Sequence, residues 1–201
     1  MNIVRSEKAR PITASSEIKD LLSTISEKQL RDWVEHISVP RHFATEPQQN
    51  RATAEWLCGI FESLGLRVEK HGKYANIVAL PQGSFKEVIL VGAHYDSVPM
   101  CPGADDNGSA VAAILGCAAA CSLWRPALPV GFVAFNCEED GLAGSRDFVA
   151  SYLPRARFRI RCAHILEMVG FKPFLERCLK DVPPSQRQQV WDQLAAAVRT
   201  L

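Results

Sequence analysis

The sequence lacks the features that mark nucleic-acid-binding, membrane and secreted proteins. Its 23 basic and 22 acidic residues leave a formal net charge of +1, so no global field attracts the chain to nucleic acid or to an anionic membrane. The N-terminus has no apolar leader, and the longest apolar stretch, residues 110–120, is too short to span a bilayer. We therefore expect a globular protein that binds neither nucleic acid nor membrane.

Cysteine pairs with metal-site spacing are also missing. The chain has seven cysteines, an odd number, and no two of them stand in a CxxC pattern. Several lie in apolar runs, where a free thiol behaves as a small hydrophobe. Free thiols and the absence of a leader together predict a cytoplasmic location. Cys101 and Cys137 could still serve as metal ligands, a role that we do not favour.

Helical periodicity and capping residues predict two helical regions in the first third of the chain. The first covers residues 16–38, where Ser26 and Gln29 form a capping-box pattern that indicates two short helices. The second begins near Thr45, which with Gln48 forms the same pattern.

Strands alternate with helices through the rest of the sequence. The continuous apolar runs at 87–92 and 129–135 predict strands that are buried on both faces. A small-residue helix is predicted at 107–121 and a further strand at 162–168. The remaining strands and helices are predicted at 66–70, 74–80, 142–152 and 185–199. This alternation predicts an α/β sandwich.

Charged residues of the metal-binding type follow three of the predicted strands. His94 comes after the run EVILVGA, Glu138 and Glu139 after PVGFVAFNC, and Glu167 after CAHIL. In open α/β sheets, ligands bind at the carboxyl ends of strands. The sequence therefore predicts that one edge of the sheet carries a site.

The segment GAHYDS places His94 and Asp96 two residues apart. At the end of a strand such residues share a face, so the carboxylate can accept the second imidazole N–H and fix the tautomer. The alternative is an exposed histidine beside an aspartate in a turn.

The segment PGADDNGS holds Asp105 and Asp106 before an apolar helix. Either residue could simply cap the helix. Two adjacent acids exceed what capping requires, and one carboxylate has two oxygens with which to bridge two cations.

Acidic residues also cluster in the segment NCEEDGLAGS, where Glu138, Glu139 and Asp140 are consecutive. Their mutual repulsion would be relieved by a nearby cation, although acids in the first turn of a helix are the plain alternative. Glu167 lies within an apolar segment, and a buried glutamate is rare unless it is paired.

Zinc is the metal that this set of residues predicts. One histidine with carboxylates and open coordination positions suits a catalytic zinc ion. A free carboxylate beside the metal can take a proton from water and return it to a leaving amine. Adjacent glutamates allow one to bind the metal while the other acts as the base.

The segments GAHYDS, PGADDNGS, EEDGLAGS and LEMVG resemble, in order and approximate spacing, the di-zinc aminopeptidase family that also contains glutamate carboxypeptidase and glutaminyl cyclase. The resemblance covers about residues 21–170. It implies a three-layer αβα sandwich with a central mixed, mostly parallel sheet. It also implies a single domain over residues 1–201, with a divergent tail at 171–201.

By position, the resemblance implies a role for each residue of the site. The implied zinc ligands are His94, Asp106, Glu139 and Glu167. Asp106 would bridge two zinc ions, and Glu167 stands where many members have aspartate. Glu138 would be the general base, and Asp96 would orient His94. The family often has a cis peptide bond after the bridging aspartate, here Asp106–Asn107.

The chain departs from the family at the fifth metal ligand, a histidine far downstream. No histidine follows His164, so the resemblance implies that the C-terminal part of the family domain is missing and that one or two zinc ions bind. The favoured hypothesis is a zinc-dependent exopeptidase that acts on peptides, specifically an aminopeptidase. The alternatives are a truncated or degenerate member that only binds metal or peptide, and an acyltransferase like glutaminyl cyclase.

Overall fold

The computed structural model describes residues 16–124, 126–170 and 183–186. The chain divides into two compact units, Met1–Met168 and Val169–Leu201. In the second unit the described residues include a short 3-10 turn at Pro184–Gln186. The predicted helix at 185–199 lies almost entirely outside the described residues, and the single-domain organisation stays a prediction.

The first unit is built from alternating helices and strands. Its α-helices are α1 (Ser16–Ser23), α2 (Glu27–Ile37), α3 (Pro47–Ser63), α4 (Ala110–Leu123) and α5 (Ala143–Asp147). Its strands are β1 (Arg67–His71), β2 (Asn76–Leu80), β3 (Glu87–His94), β4 (Val130–Phe135) and β5 (Arg159–Ile165). Irregular helical turns cover Ala104–Ser109 and Phe148–Tyr152, and a 3-10 turn covers Leu153–Arg155.

The five strands form one mixed sheet in the order β1-β2-β4-β3-β5. Strand β3 runs parallel to both β4 and β5, whereas β1–β2 and β2–β4 are antiparallel pairs. The predicted mixed α/β sheet is thus confirmed. Strands β3, β4 and β5 run in the same direction, because crossover connections return the chain to the same starting edge before each parallel strand. The carboxyl ends of the three strands therefore lie at one edge of the sheet.

Apolar side chains cover both faces of the sheet, which makes the unit a three-layer structure. On one face, α2, α3 and α4 pack through Leu57, Phe61, Ile114 and other side chains against Ile77 and Phe132. On the other face, Val78, Leu90 and Val133 pack against Phe148 and Tyr152 from the segment after β4. Each fully buried Leu or Phe contributes roughly 1.5–3 kcal/mol.

Helix α4 is the buried small-residue helix that the sequence predicts. The helical segment Ala104–Leu123 has the length and composition of a membrane span, a test that core helices also pass. Val111, Ile114 and Leu115 have no exposed surface and belong to the core cluster. A Cβ atom on Gly116 would lie 3.0 Å from Leu30 Cδ2, so α2 and α4 pack closely.

The predicted break in the first helical region is confirmed. Helix α2 begins after Ser26, whose Oγ accepts a hydrogen bond from Gln29 N at 3.3 Å. This bond satisfies one of the free N–H groups at the helix start.

The predicted capping box at Thr45 and Gln48 is wrong. Helix α3 begins at Pro47, its N-cap residue is Glu46, and no side chain caps it. Because proline fits the first helical position and lacks an N–H, the helix starts there without the box. The Thr45 hydroxyl donates instead to the Glu46 carboxylate at 2.7 Å.

Candidate metal centre

Four segments of the chain meet at the carboxyl edge of the parallel strands. His94 is the last residue of β3, Glu138 and Glu139 follow β4, and Glu167 follows β5 by two residues. Asp106 lies in the irregular turn that leads into α4. This turn departs from helical geometry at Asp106 and Asn107, so α4 begins three residues later than its sequence predicts.

The carboxylates converge on one imidazole nitrogen. His94 Nε2 lies 3.2 Å from Asp106 Oδ1 and 3.5 Å from Glu167 Oε1. Zinc bonds of about 2.0–2.1 Å in tetrahedral geometry separate neighbouring ligand atoms by about 3.3 Å. Both distances from the imidazole nitrogen match the spacing of neighbouring zinc ligands, and one ligand atom of each of the three residues lies within 4.8 Å of the others.

A second cluster uses the same histidine. Ligand atoms of His94, Glu138 and Glu139 lie within 4.8 Å of one another. Glu139 Oε1 is buried and has no hydrogen-bond partner among the residues that the structure describes. Burial, and then repulsion from Asp106, raises the pKa of Glu139. A cation beside this oxygen would relieve both effects, so the donor set fits a metal here too, although both clusters draw on His94.

Asp96 connects the loop after β3 to the loop after β4. Its side chain is fully buried, and its two oxygens accept hydrogen bonds from Glu138 N at 3.1 Å and Glu139 N at 3.2 Å. Its Oδ1 also lies 3.4 Å from His94 Nδ1, close enough for electrostatic attraction. Asp96 therefore fixes the main chain that carries both glutamates.

The surrounding carboxylates determine the charge of His94. Burial opposes protonation of the ring, but Asp96, Glu167 and Glu138 outweigh it and raise the pKa of His94 to about 9. Burial also raises the pKa of Glu167. The centre thus holds a positive charge on His94 at neutral pH when no metal neutralises the acids.

Asn107 is a residue of the centre that sequence reasoning missed. Its Nδ2 donates to Glu167 Oε2 and to Leu166 O, each at 3.0 Å, and its Oδ1 accepts from Met168 N at 3.1 Å. The side chain thus holds the main chain and the carboxylate of Glu167. The sequence signal that could have identified Asn107 is its position directly after Asp106, across the predicted cis peptide bond. The structure contains this cis bond.

The two remaining acids of the motifs stand outside the metal clusters. Asp105 accepts a hydrogen bond from Ser109 Oγ at 2.7 Å, a contact within the turn before α4. Asp140 is half exposed and lies 3.4 Å from His42 Nε2. Neither belongs to a group of metal-type ligands found among the described residues.

An apolar cavity of about 460 Å³ opens beside the centre. His94, Glu138 and Glu167 are among the residues that line it. Gly92 also lines it, and a Cβ atom there would lie 3.0 Å from Phe135 Cε2. Its apolar lining comes from residues of β3, β4, β5 and the segment after β4, among them Leu90, Val133, Phe148, Leu153 and Ile160. The cavity could hold an apolar group next to the carboxylates.

The fold is α/β, and a group of histidine and carboxylate side chains that could hold a metal ion lies at the ends of its parallel strands. The sequence profile of peptidase family M28 matches residues 76–201. This match covers more than half of the chain, and the chain belongs to peptidase family M28.

Proteins of similar sequence or structure include ones named aminopeptidase, Zn-dependent exopeptidase and glutaminyl cyclase. An aminopeptidase of Pseudomonas aeruginosa is 36% identical over 108 residues, which are 53% of this chain and 20% of that protein. LapA aminopeptidase of Legionella pneumophila superposes with a TM-score of 0.68 at 21% identity, covering 82% of this chain and 49% of LapA. A Zn-dependent exopeptidase of Parabacteroides distasonis has a TM-score of 0.63 at 18% identity, with 72% and 62% covered. The chain thus spans only part of the length of these relatives.

Proposed function

We propose that the chain is a zinc-dependent exopeptidase that removes N-terminal residues from peptides. The observation that carries the proposal is the convergence of Asp106 and Glu167 on His94 Nε2 at zinc-ligand spacing, with the Glu138 carboxylate 3.9 Å from the same nitrogen. Family membership supports hydrolysis, and the named relatives support the aminopeptidase specificity.

The proposed roles follow from the geometry of the centre. His94, Asp106 and Glu167 would hold the zinc ion, which supplies Lewis acidity to polarise a carbonyl and to acidify water. Glu138 would take a proton on its carboxylate and return it to the leaving amine. Asp96 would keep Glu138 in place through the hydrogen bond to its main-chain N–H.

We propose one zinc ion for the described residues. The set of His94, Asp106 and Glu167 supplies three ligands and leaves a position for substrate or water, as catalytic zinc sites do. Among the described residues, the group of three metal-type ligands that includes Glu139 draws on the same histidine, so we place no second zinc ion in it.

Replacement of Glu138 tests the proposal. In Glu138→Gln the side chain keeps its shape and loses its basicity, so peptide hydrolysis should fall about 10²–10⁴-fold. Zinc content per chain should stay unchanged, because Glu138 is not among the three proposed ligands. Hydrolysis of a leucyl dipeptide and elemental analysis after dialysis against trace zinc measure the two quantities. The matched control is Asp140→Asn, which changes a nearby acid outside the metal clusters and should leave both unchanged.

Other results would support the alternatives. A wild-type chain that binds zinc and hydrolyses no peptide would be a degenerate member that only binds metal or peptide. Formation of pyroglutamate from an N-terminal glutaminyl peptide, without hydrolysis, would indicate an acyltransferase. Equal peptidase activity in Glu138→Gln and wild type would overturn the assigned base.

A further inference from the structure

Among the described residues, Arg41 is the largest fully buried side chain, and it is not part of the metal clusters. The hydrogen bonds that its guanidinium forms with this part of the chain all go to main-chain carbonyl oxygens. The acceptors are those of Ile37, Val39, Tyr95, Pro102 and Gly103. Such a set of partners is the mark of a group that holds the main chain in place.

Three of these acceptors, in Tyr95, Pro102 and Gly103, lie in the segment that joins His94 to Asp106, and the other two lie at the end of α2 and just after it. Nε donates to Tyr95 O at 2.6 Å, and Tyr95 stands between His94 and Asp96. Nη2 donates to Gly103 O at 2.9 Å, three residues before Asp106. The planar fork of one side chain therefore connects the loop after β3 to the turn before α4.

The turn before α4 packs tightly against the guanidinium. Gly103 has a φ of +55°, and a Cβ atom there would lie 3.1 Å from Arg41 Nη1 and 2.4 Å from Asp106 O. Glycine at this position thus lets the turn close onto Arg41. This close fit couples the position of Asp106 to that of the guanidinium.

The main chain of Arg41 extends the connection to the third loop. Its carbonyl oxygen accepts from Asn50 Nδ2 at 2.8 Å. Asn50 and Asn136 then exchange amide hydrogen bonds at 3.0 and 2.9 Å. Asn136 lies two residues before Glu138, so the loop after β4 is held by the same network.

Only arginine can make these contacts. A guanidinium has five N–H donors in a fixed plane, whereas a lysine ammonium has three on one atom. A charged group can be buried only when hydrogen-bond partners replace the water that it loses, and Arg41 has five such carbonyl partners. Burial lowers the pKa of Arg41 to about 10, against the opposing attraction of Asp96 and Asp106, and the group remains cationic at neutral pH.

We propose that Arg41 is a positioning residue for the metal centre: its guanidinium fixes the loops of His94 and Asp106, and its main chain supports the Glu138–Glu139 loop, so that zinc affinity depends on it. This inference rests on the proposed zinc site. Arg41 touches none of the ligand side chains and would act only through the loops that carry them.

Zinc affinity of the folded 201-residue chain tests the role. The variants are Arg41→Ala and Arg41→Lys, and the zinc Kd is measured by competition with a chromogenic chelator at fixed pH. Partners that orient metal ligands typically change affinity about 10–100-fold, so Arg41→Ala should raise the Kd by that factor. Arg41→Lys should raise it less, because it keeps the charge and some of the donors. Millimolar guanidinium should restore much of the affinity of Arg41→Ala, whereas ammonium should not.

Leu57→Ala is the control for a loss of packing alone. Leu57 is fully buried in α3, belongs to the apolar core and is not one of the metal-type ligands. This variant should lose stability in urea unfolding while its folded form binds zinc with the wild-type Kd.

Three results would overturn the role. A wild-type Kd in a folded Arg41 variant would show that the loops hold their places without the guanidinium. An equal rise in Leu57→Ala would show that the effect is general destabilisation. If Arg41→Ala does not fold, the zinc Kd of Arg41→Lys is the deciding measurement. A wild-type Kd in Arg41→Lys would show that zinc binding does not need the planar guanidinium. A wild-type chain that binds no zinc would refute the zinc site itself before any variant is compared.

Discussion

Asn107 shows how one buried amide can position a metal ligand. Its three hydrogen bonds join the turn before α4 to the segment after β5, and one of them reaches the carboxylate of Glu167. Glu167 is half exposed, so few other contacts limit its rotamers. The amide therefore restrains where this carboxylate points.

Asn107→Ala should weaken zinc binding and destabilise the fold. Without the amide, Glu167 must be ordered by the metal itself, so we expect the zinc Kd to rise about 10–100-fold. The main-chain groups of Leu166 and Met168 lose their partners, which should lower the free energy of unfolding by about 1–3 kcal/mol. Chelator competition and urea unfolding measure the two effects.

The control for Asn107→Ala is Ser151→Ala. Ser151 Oγ donates to Asp147 O at 2.9 Å and lies 2.7 Å from His71 Nε2, both away from the centre. Its loss should lower stability without changing the zinc Kd. Equal Kd values in the two variants would show that Asn107 has no role in positioning Glu167.

Residue patterns identified the charged members of the centre but not the groups that hold them. His94 and Glu167 stand out because a strand end with such residues has few purely structural uses. Arg41 and Asn107 do not stand out, because their partners lie about 60 residues away in the chain. An amide or a guanidinium acquires its role only from where the fold places those partners.

Helix α5 begins against the loop that carries the two central glutamates. A Cβ atom on Gly144 would lie 1.9 Å from Asn136 O and 2.6 Å from Asn76 Oδ1, so only glycine fits there. Asn76 Nδ2 also donates to Gly144 O at 2.8 Å. This close contact fixes the distance between the start of α5 and the end of β4.

A pair of glycine substitutions tests this packing. Gly144→Ala should lower the free energy of unfolding by about 1–3 kcal/mol, because the added methyl group overlaps the main chain. Gly59→Ala, inside α3 with open space around its Cα, should raise it by about 0.5–1 kcal/mol through a smaller loss of backbone entropy. Urea unfolding of both variants measures the difference, and a stable Gly144→Ala would contradict the contact.

Element types were more predictable than element ends. The apolar runs that predict β3 and β4 are readily assigned as strands, since a strand covered on both faces needs such a run. The start of α4 was missed because Asp106 and Asn107 leave helical geometry to face the centre. The strand β5 was predicted three residues too late, since its N-terminal half alternates arginine with other residues and is less apolar than a buried strand.

Acidic residues are concentrated at one place in a chain that is nearly neutral as a whole. The net charge is +1, yet the side chains of Asp96, Asp106, Glu138, Glu139 and Glu167 surround a single histidine. Folding brings these charges together, and the raised pKa values of Glu139 and Glu167, which arise from burial first and then from neighbouring acids, reflect the energetic cost. A metal ion bound at the centre should therefore stabilise the whole molecule.

Removal of zinc should lower the melting temperature. At a free zinc concentration of 100 times the Kd, binding contributes about 2.7 kcal/mol to the free energy of unfolding. For a chain of this size each 1 kcal/mol shifts the Tm by about 2–4 °C. Calorimetry with zinc and with a chelator should thus differ by several degrees in the wild type and by almost nothing in His94→Ala. Equal Tm values in the wild type would contradict a zinc site in the folded state.

The guanidinium of Arg41 makes contact with carbonyl groups that every amino acid possesses. Residues 98–101 lie between its anchor points at Tyr95 and Pro102, and the Met100 side chain is 83% exposed. Selection could thus exchange the side chains of this loop over generations while its ends stay fixed. Residues 98–101 are also a segment that protein engineers can randomise in a library beside the centre. The hydrogen bonds that hold the two ends of this segment do not involve the side chains being varied.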